Sequence, residues 1–202
     1  MIIDVHAHFV PNAMLAALAG KRLFPSIETI GDPGSMRLSF AGREPTRPVS
    51  PKLGDLDQRE QWLSAQCIDH QVVGGWLDMF GYELPAEEGA DWCRFLNEHL
   101  RQGTSGLATL APLATVPLQN GRLAAKVLEE ALDAGFHGAM IGTQPKGVGG
   151  ALDDADLDPF WELASARQAT IFVHPMFACG DDRLGAYDLV NAVGRLTDTT
   201  TA

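Results

Sequence analysis

Apolar, β-branched runs at residues 2–6, 71–77, 106–110, 138–142 and 169–174 alternate with longer segments in which apolar positions recur at helical spacing. The pattern predicts strands over those five runs and helices over 55–69, 87–102, 118–134, 155–167 and 187–197. In the third helix Leu123, Val127, Leu128, Ala131 and Leu132 share one face while Glu129, Glu130 and Asp133 lie elsewhere, as in a helix covering a sheet. Gly135 is placed to end that helix, and Asp158 followed by Pro159 to cap the next one. Residues 23–51 form an insertion rich in Pro and Gly. Within it, 26–30 and 36–40 flank Gly31-Asp32-Pro33-Gly34-Ser35 and predict a small hairpin, expected over the mouth of the sheet.

Strands alternating with helices imply a parallel sheet, either an open doubly wound one or a (β/α) barrel. A dinucleotide-binding fold would place G-x-G-x-x-G after the first strand. Here Ala7-His8-Phe9-Val10-Pro11 follows instead. The domain expectation is one α/β domain over 1–202 with the insertion at 23–51.

Composition narrows the function classes. Of 202 residues, 46% are hydrophobic and 20% charged, enough apolar material for a core, and the formal charge of −11 disfavours nucleic acid as a partner. No apolar run approaches the ~20 residues of a membrane span, and the start lacks the basic region of a signal peptide, so the expected setting is cytoplasmic and away from membranes. Cys67, Cys93 and Cys179 lack C-x-x-C spacing and read as ordinary buried thiols.

The six histidines divide by strand end, and in parallel sheets sites form at the carboxyl ends. His70 and His137 precede strands, and His99 lies in the last turns of a helix, where imidazole meets the helix dipole; these three read as structural. His6, His8 and His174 each end a hydrophobic strand. His6 and His8 point the same way, roughly 6.5–7 Å apart along the strand. With His174 they make three nitrogen donors, enough for a divalent ion with an open coordination position. The acidic run Asp153, Asp154, Asp156 and Asp158 lacks the glycine and distal glutamate of an EF-hand loop and reads as a helix start. Asp78, at the carboxyl end of the second strand, is a weaker site candidate that reads first as a cap or a solvated group.

The stretch Ile3-Asp4-Val5-His6-Ala7-His8-Phe9-Val10-Pro11 resembles the opening of the amidohydrolase superfamily, in its branch of aminocarboxymuconate-semialdehyde decarboxylase and related aromatic-acid decarboxylases. Four later stretches agree in order and spacing: Leu110-Ala111-Pro112-Leu113, 135–143, 158–164 and Ile171-Phe172-Val173-His174-Pro175. The resemblance implies a (β/α)8 TIM-barrel fold with one divalent metal, most often Zn2+, held by His6, His8 and His174. Residues 141–143 read Ile-Gly-Thr where binuclear relatives carry a carboxylated lysine, which implies a mononuclear site. It also implies that Arg47 holds the carboxylate of a small-molecule acid, a task suited to a planar guanidinium fork, and it admits a homodimer.

At about 40 residues per βα unit, eight units need roughly 320 residues, so the expectation is a barrel truncated to about five units. The family's eighth-strand aspartate and sixth-strand histidine have no counterpart, since no histidine follows His174, and Asp181, Asp182, Asp188 and Asp198 do not end recognisable strands. Three functions stay open: a metal-dependent decarboxylase of an aromatic or muconate-type acid, a metal-dependent hydrolase of a lactone or amide on the same site, and a catalytically silent fragment.

Overall fold

A computed structural model describes residues 1–146, 150–176, 182–185 and 187–202. Its parallel strands are β1 (Ile3–His8), β4 (His70–Gly74), β5 (Leu110–Pro112), β6 (Gly138–Gly142) and β7 (Thr170–His174). β1 pairs with β4, β4 with β5, and β6 with β7, all parallel. A bridge between Ala114 and Ala139 joins the two groups, with Met140 N donating to Ala114 O (2.9 Å) and Ala114 N to Gly138 O (2.9 Å). The result is an arc of five strands in chain order, with β1 and β7 at its edges among the described residues.

Three strands depart from their hydrophobic runs, and the first, β1, runs two residues past its predicted end to His8, so that His6 lies inside it. The run at 106–110 gives a strand only from Leu110, because Gly106 at φ 81° turns the chain out of α3 (Ala86–Thr104) and Leu107 N closes that turn on Thr104 O. Likewise 71–77 shortens to β4, since Trp76 leads into a single 3-10 turn at Leu77–Met79. A short helix, α1 (Asn12–Leu18), had no predicted counterpart. It follows Pro11 and buries Met14, Leu15 and Leu18.

The predicted hairpin forms as β2 (Ile27–Ile30) paired antiparallel with β3 (Arg37–Phe40). Its Met36, Leu38 and Phe40 join the main core, where Phe24 and Phe40 meet Trp92 of α3 edge-on. Gly81 makes that junction close: at φ 72°, a Cβ there would stand 2.8 Å from the Trp92 ring. Phe40, Phe80, Tyr82, Asp78 and Met176 line a cavity of about 190 Å³ at the carboxyl ends of the strands.

Helices cover the outer face. Asp55 caps α2 (Leu56–Ala65) through Gln58 N, and Asn120 caps α4 (Gly121–Asp133) through Leu123 N. Gly135, at φ 98°, follows the end of α4 as the sequence predicts. Asp158, by contrast, is already helical as the first residue of α5 (Asp158–Ala166). The cap is Asp154, whose carboxylate accepts from Asp156 N at the head of the preceding 3-10 turn Ala155–Leu157. Asp154 and Asp156 also both grip Lys146 Nζ at 2.8 Å, so the acidic run is a local clamp. The last segment winds through a π turn at Val190–Gly194 into a helix at Arg195–Thr201. Of the cysteines, Cys93 is buried, Cys67 is exposed at the turn after α2, and Cys179 lies outside the described residues. No helix among the described residues is long and apolar enough to cross a membrane.

Candidate metal centre

β1 and β7 lie at opposite edges of the arc, and its curvature brings their ends together. The ring centroids of His6, His8 and His174 form a triangle of 5.2, 4.9 and 5.0 Å, and one nitrogen from each lies within 4.8 Å of the others. His174 is buried, His8 half-buried and His6 exposed, so the triangle is open on one side. Among the described residues this is the one such grouping of His, Cys, Asp or Glu, and no carboxylate joins it.

Two of the rings are oriented from behind. His8 Nδ1 lies 2.9 Å from Gly75 O and His174 Nδ1 lies 2.8 Å from Pro175 O. A carbonyl oxygen only accepts, so each Nδ1 carries the proton and donates, which leaves Nε2 with its lone pair. That is the tautomer and the outer support metal-binding histidines need. The three residues therefore fit a divalent ion.

Burial also keeps the rings neutral. It brings the His174 imidazole down to about 4; the Pro175 contact opposes this, while the charges of His8, His6 and Arg195 add to it. Burial lowers His8 as well, against the Gly75 contact. A histidine depressed in the native state and ordinary, near 6.5, in the unfolded chain contributes stability above pH ~6.5 and loses it as pH falls towards 4. The metal-free chain is therefore expected to lose urea resistance across that window, and His174→Gln to flatten the loss. An unchanged slope in His174→Gln would refute this account.

Arg47 stands elsewhere on the same rim. Its Nε and Nη2 donate to the two carboxylate oxygens of Asp78 at 3.2 and 2.9 Å, and its guanidinium lies over the Trp76 ring at 5.4 Å. Asp78 is neither a cap nor a solvated group: its side chain is 5% exposed against 59% for Arg47, so a shielded carboxylate holds an accessible cation. None of the three histidines read as structural joins the cluster. His70 Nδ1 meets Ala108 O, His99 Nδ1 meets Phe95 O one turn back, and His137 is exposed.

Sequence reasoning did not foresee the role of Asp198. On the terminal helix it accepts from Gln144 Nε2 (3.1 Å) and from Thr143 Oγ1, tying that helix to the end of β6. Nothing in the local pattern marks it, because the contact spans more than fifty residues.

No protein-family model matches the chain. Similar solved structures include IDCase of Metarhizium anisopliae in its apo form, at 22% identity and TM-score 0.74, covering 99% of this chain and 58% of that one. A dihydroxybenzoic acid decarboxylase from Polaromonas sp. JS666, with bound manganese and the inhibitor 2-nitroresorcinol, aligns at 18% identity and TM-score 0.69 over 98% of this chain and 57% of its own. A 5-carboxyvanillate decarboxylase from Sphingomonas paucimobilis aligns at 18% and 0.71 over 99% and 60%. The chain thus spans less than two thirds of the length of these neighbours, and what it shares with them is the fold, five βα units of a (β/α)8 barrel.

Proposed function

We propose that the chain carries the metal-binding part of a decarboxylase acting on a small aromatic or muconate-type carboxylic acid. The observation that carries this reading is the convergence of His6, His8 and His174, with the Nε2 atoms of His8 and His174 left for an ion. The decarboxylases among the structural neighbours support it. Zinc is the ion proposed, because the donors among the described residues are three imidazoles, which suit zinc better than manganese, an ion that favours oxygen donors. A bound divalent ion would supply Lewis-acid polarisation of a substrate oxygen.

The reaction breaks the bond between a ring or chain carbon and the carboxyl carbon, releases carbon dioxide and returns a proton to the first carbon. In this reading Arg47 holds the substrate's acid group, while Asp78 fixes the plane of the guanidinium. The cavity beside Asp78, Tyr82 and Met176 receives the rest of the molecule. A cytoplasmic setting, and pairing of two copies, belong to the same proposal; the exposed thiol of Cys67 fits a reducing compartment.

The test is carbon dioxide release from hydroxybenzoates and muconate-type acids by the zinc-loaded chain. Arg47→Lys keeps a cation for Asp78 but loses the fork, and is expected to raise KM about 10- to 100-fold, the worth of a charged hydrogen bond. Turnover of a lactone or amide without carbon dioxide would replace this reading with hydrolysis. Zinc binding without turnover of either kind would leave a chain that binds metal and does no chemistry.

A further inference from the structure

Pairing along β1 is irregular where it matters most. Asp4 is opposite Gln71 and Ala7 opposite Val73, so three residues of β1 span two of β4 and the strand carries a bulge. Gln71 and Val73 share a face, and Ala7 packs with Val73, Leu63 and Leu110 beneath the helices. Asp4 and Ala7 therefore lie on the helix side, although three residues apart. Strict alternation would have put Asp4 on the side of His6 and His8. The extra residue separates them, as bulges near sites often do when they re-aim side chains.

Two backbone groups beside the bulge, His6 N and His8 O, are held by side chains, and four hydrogen bonds in series link them. His6 N donates to Asp4 Oδ1 (3.2 Å), and Gln71 Nε2 donates to Asp4 Oδ2 (2.7 Å). Arg59 of α2 donates Nη1 to Gln71 Oε1 (2.6 Å) and Nη2 to the backbone oxygen of His8 (2.7 Å). Its guanidinium lies over the Phe9 ring at 5.7 Å. One unbroken path thus runs from the backbone of His6 to that of His8 through a carboxylate, an amide and a guanidinium, none of which belongs to the triad.

We infer that Arg59, acting through Gln71 and Asp4, is a positioning residue of the metal centre that pins the bulge from behind so that His6 and His8 meet His174 around one ion. This rests on the three-histidine reading and goes beyond it. A rigid hold on ligand backbones pre-pays the ordering that ion binding would otherwise require.

The experiment compares the wild-type chain with Arg59→Met, Arg59→Lys and Gln71→Met by zinc titration, by the visible absorption of bound cobalt(II), and by thermal unfolding without metal. Arg59→Met is expected to weaken zinc about 10- to 100-fold and to alter the cobalt band, with the native circular dichroism retained. Arg59→Lys, keeping a donor to His8 O, should recover part of the affinity. If Arg59→Met does not fold, Gln71→Met, which cuts the path at its middle, is expected to show the same loss. A lower melting temperature with wild-type zinc affinity and an unchanged cobalt band would overturn the inference and leave Arg59 as a strut. Failure of the wild-type chain itself to take up zinc or cobalt would instead refute the metal centre.

Discussion

Replacing His8 or His174 by alanine is expected to take bound zinc from about one ion per chain to near none, while His137→Ala leaves it unchanged. The argument is stoichiometric. Zinc sites with an open position use about three protein ligands, and the triangle among the described residues has three. Removing one leaves two imidazoles on an exposed rim and discards a ring already oriented by a backbone carbonyl. His137 is a matched control, an imidazole at the opposite end of the strands with no part in the cluster. Elemental analysis of the purified proteins reads the result directly. A second reading comes from linkage: zinc at about 100 times its Kd adds roughly 2.7 kcal/mol to native stability, so it should raise the melting temperature of wild type and His137→Ala only. Equal losses in His8→Ala and His137→Ala would remove the site.

Trp92→Ala is expected to cost about 3–5 kcal/mol, a large part of the roughly 5–15 kcal/mol that holds a typical domain folded. Trp92 has no exposed surface and lies among Phe24, Phe40 and Phe95, with ring centroids 5.3–5.7 Å away. Its indole N–H donates to Met79 O at 2.7 Å, so truncation both opens a void and strands a buried carbonyl. Because Trp92 joins α3 to the hairpin that walls the cavity, the loss should appear as a lower urea midpoint and as weakened order around Phe40. A cost below about 1 kcal/mol would show that the hairpin and α3 do not share one core.

Most elements were legible because their patterns are local. The apolar runs at 138–142 and 169–174 read as strands and are strands, apart from Ala169. The amphipathic stripe of α4 and its terminating Gly135 follow from spacing and from one left-handed residue. Displaced elements had competing local signals. Leu107 looks like strand, yet Gly106 spends it on closing a helix, and Met14, Leu15 and Leu18 repeat over too few turns to stand out from a loop. At the site, His6 and His8 were found by alternation, a valid rule for that pair. For Asp4 the same rule fails, because one bulge residue inverts everything before it.

What the sequence determined was the order of strands and helices and which histidines end strands, since both depend on neighbours a few residues apart. Tertiary structure alone decided that His174 closes on His6 across 168 positions of chain, that Asp78 shields itself by holding Arg47, and that Arg59 reaches the backbone of His8. Each of these depends on the curvature of the five-strand arc and the register of one strand pair. Both properties emerge only when side chains from distant segments fill the same space.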